Sequence, residues 1–249
     1  MSKECLAKLR IVRPKRIYEQ VAEQLAQLIK DGSFPPGSRL PAERELTVSL
    51  GVSRPSLREA MIGLEVLGLI ETRVGDGTYV AREFDYLALN RLASMDLGPS
   101  AVEQFQVRRT LETECAGLAA EAAGAENLDG LRRLLEEMQA AIAQGRNPWQ
   151  LHKRFHNLLA GASGNQLLAS MIHTLWVLRE GELWSGLRAR VDHPVHWQRG
   201  LESRRRLLTA LENRDARASR VVMTEHFEAL SVIYFGGPDD ASDVLDTPA

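Results

Sequence analysis

Gly51-Val52-Ser53-Arg54-Pro55-Ser56-Leu57-Arg58-Glu59-Ala60-Met61-Ile62-Gly63-Leu64-Glu65-Val66-Leu67 is the stretch that decides the fold. Gly51 stops whatever precedes it, Ser53 is a favoured N-cap, and Leu57, Met61, Leu64 and Leu67 recur every three or four residues, so the spacing predicts a helix from Arg54 to about Leu67 with one buried stripe. Upstream, Leu40-Pro41-Ala42-Glu43-Arg44-Glu45-Leu46 predicts another helix, with Pro41 at its first position and acids in its first turn. Further back, Ile17, Val21, Leu25 and Leu28/Ile29 describe an amphipathic helix ended by Asp31-Gly32, and Phe34-Pro35-Pro36-Gly37 turns the chain. Downstream, Gly68 breaks the helix, and Leu69–Val74 and Thr78–Val80 read as two short strands joined by Gly75-Asp76-Gly77, a wing.

Two short helices about a three-residue turn match the helix-turn-helix plan, whose second helix enters the DNA major groove and offers its first turn to base edges. Arg54 and Arg58 lie one turn apart on that helix, with the hydroxyls of Ser53 and Ser56 beside them, and an arginine fork can take guanine O6 and N7 together. Arg44 is placed for a phosphate or a groove edge. Arg73, Gly75 and Gly77 belong to the wing, where glycine lets the backbone approach the sugar-phosphate. Taken alone, Arg54 and Arg58 could equally occupy an ordinary solvated helix face; their place in the order helix, helix, turn, helix, glycine-tipped hairpin favours DNA.

The 249 residues suffice for two domains, and 44% hydrophobic with 26% charged residues is a globular composition without an apolar run long enough to span a bilayer. Met1–Arg10 lacks the apolar stretch of a secretory signal, so a cytoplasmic location is expected. Cys5 and Cys115 do not suggest a disulfide framework. The net charge of −2 conceals an asymmetry: residues 1–82 hold 13 Lys and Arg against 10 Asp and Glu, and the remainder holds 18 against 23. A mildly basic head on an acidic body fits a chain in which the head meets phosphate.

The expected organisation is a flexible tail (1–12), a winged helix-turn-helix domain (13–82), a linker (83–99), an all-helical domain (100–236) with Ser100 as its first N-cap, and a disordered acidic tail (237–249). The fold class is mainly α: a head with a small β-hairpin wing, followed by an antiparallel helical bundle. Breaks at 123–127, 145–148, 161–165, 181–194 and 213–215 predict about six helices and no strands in the bundle.

The segments Pro36–Leu46, Gly51–Ala60 and Gly75–Val80 resemble the winged-helix head of the GntR superfamily of regulators. The resemblance implies that Arg44, Arg54, Arg58 and the wing glycines contact operator DNA and that a homodimer reads a short palindrome; Asp76 departs from the basic or small residue usual at its position. Val107–Glu112, His152-Lys153-Arg154-Phe155-His156, Ala162-Ser163-Gly164-Asn165 and Met223-Thr224-Glu225-His226 resemble the effector-binding domain of the FadR subfamily, called FCD. That likeness implies a small carboxylate effector, release from DNA on binding it, and repression as the regulatory sense.

The effector residues implied are Arg108, His152, His156, Asn165, Arg204 and His226. In the family pattern an Asp and three His hold a metal; mapped here, those positions fall on His152, His156, Arg204 and His226. His152 and His156, at i and i+4, present their imidazoles on one helix face and could share a divalent ion. Two arrangements stay open: His152, His156 and His226 hold zinc or nickel while Arg204 grips the effector, or no metal is present and Arg204 with Arg108 supplies its charge. The second is favoured, because a guanidinium is a fixed like charge beside any cation. Arg108 or Arg109 could also simply pair with Glu112 on the helix surface. Trp149, Trp176, Trp184 and Trp197 are read as core or interface, and His193 and His196 as exposed in a loop around Pro194. A His-bound metal hydrolase and an effector-free architectural DNA-binding protein are the rival readings. Against the first, no base and nucleophile pair, nucleotide-binding glycine loop or HExxH element is found; the second leaves the helical domain without a purpose.

Overall fold

The structure, a computed structural model, describes residues 15–73, 76–84 and 99–235. The tails 1–12 and 237–249, most of the 83–99 linker, and Gly75 of the wing turn lie outside the described residues. Contacts divide the chain between Ser94 and Met95 into two compact units.

The first unit contains α1 (Ile17–Lys30), α2 (Glu43–Leu50), α3 (Arg54–Val66) and an antiparallel hairpin of β1 (Ile70–Arg73) and β2 (Gly77–Val80). Tyr18, Val21, Leu25 and Ile29 of α1 pack against α3, whose Leu57, Met61 and Leu64 are buried. Gly51 ends α2 at φ 65°, a left-handed conformation that costs glycine little. Ser53 then opens α3, its Oγ accepting the Ser56 N–H at 3.3 Å. The start of α2 differs from expectation: the helix begins at Glu43, so Pro41 precedes the cap, and the Glu45 carboxylate accepts the Ala42 N–H at 3.2 Å. In the hairpin Ile70 pairs with Val80 and Arg73 with Gly77. Leu40 N–H bonds Thr78 O at 2.8 Å and Val80 N–H bonds Ser38 O at 2.9 Å, seating the approach to α2 along β2.

The second unit holds, among the described residues, seven helices: α4 (Ala101–Ala122), α5 (Ala125–Ala143), α6 (Trp149–Ala162), α7 (Gln166–Leu178), α8 (Glu182–Val191), α9 (Pro194–Glu212) and α10 (Ala216–Phe235). The expected break at 181–194 is therefore corrected. Leu183, Trp184 and Leu187 bury one face of a ten-residue helix there, and Pro194 starts α9, where a missing N–H costs no hydrogen bond. Ser100 caps α4 by accepting the Glu103 N–H at 3.2 Å.

Helix α4 packs against α6, α7, α9 and α10, so it is buried around much of its circumference rather than along one stripe. Small residues make this crowding feasible: Ala116, Ala119 and Ala120 are fully buried, and a Cβ on Gly117 would come within 2.2 Å of the Arg220 guanidinium. Phe105 meets Phe227 and Phe235 edge-on, each with centroids 5.3 Å apart. No helix among the described residues is long and apolar enough to cross a membrane.

Replacing Ser53 with Ala removes the α3 cap and is expected to cost about 1 kcal/mol. The check is a lower denaturant midpoint for unfolding of the first unit, followed in the full chain; an unchanged midpoint would remove the cap from the account of α3.

Candidate functional site

The chemistry of the second unit gathers around Glu112, 1% exposed at the middle of α4. Its Oε1 accepts Arg108 Nε at 2.7 Å and Trp176 Nε1 at 3.0 Å, and its Oε2 lies 2.5 Å from His156 Nδ1. Arg108 does pair with Glu112, the alternative that the i, i+4 spacing allowed, but in the interior rather than on a helix surface, because α4 is surrounded by other helices. Burial alone would push the Glu112 carboxyl up, but Arg108 and His156 outweigh it and hold it well below the usual carboxylate range.

The short contact to Glu112 assigns the His156 proton to Nδ1 and leaves a lone pair on Nε2. Arg204, on α9, donates into that lone pair from Nη2 at 2.9 Å and donates to the Gly200 carbonyl at 2.8 Å from Nη1. The His226 ring, from α10, stacks on His156 with centroids 5.8 Å apart, and His152 lies one turn before His156 on α6. The Nε2 atoms of His152 and His226 are buried and have no hydrogen-bond partner among the described residues. Burial, reinforced by the Arg204 charge, pushes both imidazoles well below their ordinary pKa. Burial also lowers His156, to about 4, against the pull of Glu112. Arg204, lowered to about 10 by burial, stays charged at neutral pH.

Arg179, at the C-terminus of α7, has its guanidinium 4.4–4.6 Å from the ring centroids of Trp149, Trp176 and Trp184. Burial lowers it to about 9, and its Nη2 donates to the Tyr234 hydroxyl at 3.4 Å. Arg188, on α8, lies 4.1 Å over Trp149 and donates to the Arg179 carbonyl and to Ser185 Oγ.

Arg108, Arg179, Arg188 and Arg204 line a single cavity of about 80 Å³, together with His152, His156 and His226. Asp192 is the acid among the described lining residues, and it accepts from Asn147 at 2.6 Å and from Trp197 at 2.7 Å. Of the effector residues named from sequence, five meet here. Asn165 does not line this cavity: it is exposed and caps α7 by accepting the Leu168 N–H at 3.0 Å.

Other readings also change. Trp149, Trp176 and Trp197 line the cavity, and so does His196, which lies in the first turn of α9 rather than in a loop. Glu112, Arg179 and Arg188 were not singled out from sequence. The usable signal for Arg179 is its position as the first charged residue after the apolar run Leu175–Leu178.

His152, His156 and His226 line one cavity but do not form a metal-holding group. Among the described residues no group of three His, Cys, Asp or Glu is arranged to hold a metal ion. The physical reason lies at His156, whose nitrogens face Glu112 on one side and the Arg204 guanidinium on the other.

In the first unit, Arg44 is exposed and Arg54 half-buried, and neither has an ion-pair partner among the described residues. Arg58 is engaged, its Nε donating to Glu43 at 2.9 Å and tying α3 to α2. Ser53 and Ser56 hydroxyls bond each other at 2.9 Å. Arg73 stacks on Tyr79 at 4.1 Å. Arg39, not named as a site residue from sequence, donates to the Asp76 carbonyl and lies where a Cβ on Gly77 would come 2.8 Å from its Nε. Asp76 accepts the Tyr79 hydroxyl at 3.0 Å, so its carboxylate has a partner within the wing.

Comparison with known proteins gives two family matches: residues 17–80 with "Bacterial regulatory proteins, gntR family" and residues 103–229 with "FCD domain". The chain is 31% identical to a Haemophilus influenzae "Uxu operon regulator", over 93% of this chain and 85% of that one. It is 32% identical to the Escherichia coli "Uxu operon transcriptional regulator", over 91% and 90%. Among solved structures, a Streptococcus agalactiae GntR protein aligns over 86% of this chain and 98% of its own, with 26% identity and a TM-score of 0.46.

Two outcomes are expected of the buried network. Glu112→Ala leaves Arg108 uncompensated in the interior and is expected to destabilise the second unit by about 3–5 kcal/mol, read by chemical denaturation. His152, His156 and His226 have folded pKa values below the 6.5 expected when unfolded. Their contribution is therefore present above pH 6.5 and lost below it, each adding a slope approaching about 1.4 kcal/mol per pH unit. Thermal midpoints should fall on acidification from about pH 7 to pH 5.5, and His226→Gln should flatten that slope. A flat profile in the parent protein would contradict neutral buried imidazoles.

Proposed function

We propose, for a chain that belongs to the gntR family of bacterial regulatory proteins and carries an FCD domain, that it is a repressor released from a palindromic operator by a small carboxylate. That it is a transcriptional regulator and not an enzyme follows from the family itself; the operator, the acid and the sense of regulation are the proposal. The observation that carries it is the charge of the cavity. Four guanidinium groups open on it, while the nearby carboxylates are Glu112, committed to Arg108, and Asp192. Buried charge is ordinarily paired, and a cavity with cations in excess is completed by an anion. The tryptophan faces and unpaired imidazole nitrogens supply apolar walls and hydrogen-bonding positions around it.

In the head, Arg44 and Arg54 are free to meet DNA. Arg58 is held to Glu43 through Nε, which links α3 to α2 and leaves its Nη donors for a base edge or a phosphate. A homodimer is supported by α7: Leu167 is 73% exposed, and Met171, Val177 and Leu178 lie open on the same helix, which buries few residues of its own. A dimer would present two heads to successive major grooves roughly 34 Å apart. For release, the acid must bind the DNA-incompetent arrangement more tightly, since a ligand shifts a conformational equilibrium only by its differential affinity. The cytoplasm is the location this reading requires.

A thermal-shift screen of small carboxylates, paired with binding to DNA from upstream of the gene, tests the proposal. One acid should raise the midpoint and release the DNA, with about 2.7 kcal/mol of stabilisation at a hundredfold excess over its Kd. Arg179→Ala and Arg204→Ala should each weaken that acid by roughly tenfold or more. Arg54→Ala should cost about 1–3 kcal/mol in specific DNA binding and relax base preference. If no carboxylate shifts the midpoint, the effector class is wrong; uniform weakening across DNA sequences by Arg54→Ala would make that residue a phosphate contact.

A further inference from the structure

We infer that the Arg204 guanidinium stands in the position where a divalent ion would otherwise be held by the cavity histidines, so that the fixed positive charge facing the ligand is supplied by the chain itself and the acid is bound without metal. The part concerning the acid rests on the effector reading above; the part concerning the ion does not.

Geometry supplies the case. Glu112 takes the Nδ1 side of His156, and the remaining lone pair, the one a metal would need, is met by Arg204 Nη2 at 2.9 Å. A carboxylate behind an imidazole whose other nitrogen faces a cation is how proteins orient histidine toward metals; here the cation is a guanidinium. Arg204 does not swing freely, being 5% exposed and held by both His156 and the Gly200 carbonyl. Around it lie two further imidazoles, His152 and His226, each with a buried Nε2 that has no hydrogen-bond partner among the described residues. Unpaired buried polar atoms are costly, and their concentration on this one cavity, where His196 Nδ1, Arg179 Nε and Arg204 Nε also lack a hydrogen-bond partner among the described residues, marks a ligand-binding wall rather than a packing solution.

The donor set is thus three histidines from α6 and α10 around a monovalent cation from α9. An arginine needs no loading and cannot be stripped by a chelator. It also repels a divalent ion at contact distance, even though the imidazoles would otherwise attract one. Exchanging Arg204 for His removes the charge and adds a nitrogen donor on α9, which should open the position to zinc.

The test uses the untagged full-length protein, loaded with zinc, desalted and analysed for bound metal by elemental analysis, with far-UV circular dichroism to verify folding. The parent protein should retain less than about a tenth of an equivalent and Arg204→His close to one, since three or four imidazoles form an ordinary zinc shell. Near-stoichiometric zinc in the parent, or a folded Arg204→His that takes up no more than the parent, overturns the inference. Should Arg204→His fail to fold, Arg204→Ala, which retains the three histidines without the cation, is expected to take up zinc where the parent does not, and equal uptake overturns the inference. The assay contains neither acid nor DNA, so its failure is distinct from failure of the effector reading. With an acid that raises the thermal midpoint, EDTA is expected to leave the shift unchanged, and loss of the shift in EDTA likewise overturns the inference.

Discussion

Glu112 is the constraint on which the second unit depends. An ionised carboxylate in the middle of a helix is tolerable there only because three donors close on it from three helices: Arg108 one turn along α4, His156 from α6 and Trp176 from α7. Each donor is thereby fixed, and each has a second face on the cavity. Arg108 stacks over Trp176 at 4.2 Å, and Trp176 in turn carries Arg179 at 4.6 Å. Fixing His156 fixes Arg204. One acid on α4 therefore determines the orientation of both ends of the cavity's cationic lining, and α4 can hold it because the buried positions of its next turns, Cys115, Ala116, Gly117, Ala119 and Ala120, are small and let α6, α9 and α10 come near.

What the sequence made legible follows from how local each signal is. The head was readable because its signals lie within a few residues of one another: Gly51 stopping one helix, Ser53 capping the next, and apolar spacing through Leu57, Met61 and Leu64. Arg108, His152, His156, Arg204 and His226 were legible through likeness to a family, since composition and periodicity alone do not bring residues of α4, α6, α9 and α10 to one cavity. The role of Glu112 was not readable, because an i, i+4 Arg–Glu pair looks the same on a surface helix as in a core, and only the packing of four other helices around α4 distinguishes them. Helix α8 was missed for the opposite reason. Gly181 and Pro194 at its ends and Gly186 within it read locally as a break, and the burial of Leu183, Trp184 and Leu187 that outweighs glycine's cost comes from elsewhere in the fold.

The distribution of paired and unpaired polar groups separates structure from function. Outside the cavity, charges are largely matched at the surface, as in Arg154 with Glu137 and Arg206 with Glu225, exposed pairs that contribute little to stability. At the cavity the pattern reverses: Arg179 and Arg204 are buried without a carboxylate of their own, and imidazole nitrogens of His152, His196 and His226 lack partners among the described residues. Local rules are broken where a sequence serves a purpose other than folding. The tryptophans moderate the cost for Arg179, since three aromatic faces partly replace the water that its guanidinium has lost.

On the regulatory reading, the same cavity offers a route from ligand to assembly. Arg204 and Arg179 come from α9 and from the end of α7, and an anion bridging them pulls on both helices at once. Helix α7 is the element with the open apolar face, and it is anchored mainly by Ile172 and Trp176, the latter bonded to Glu112 and stacked against Arg108 and Arg179. A ligand that changes how Arg179 sits on Trp176 therefore acts at the root of the surface on which a second copy would dock. The energy available is bounded by the difference in affinity between the two arrangements, so the unpaired cations that make the acid-free cavity costly are also what gives an acid leverage over that equilibrium.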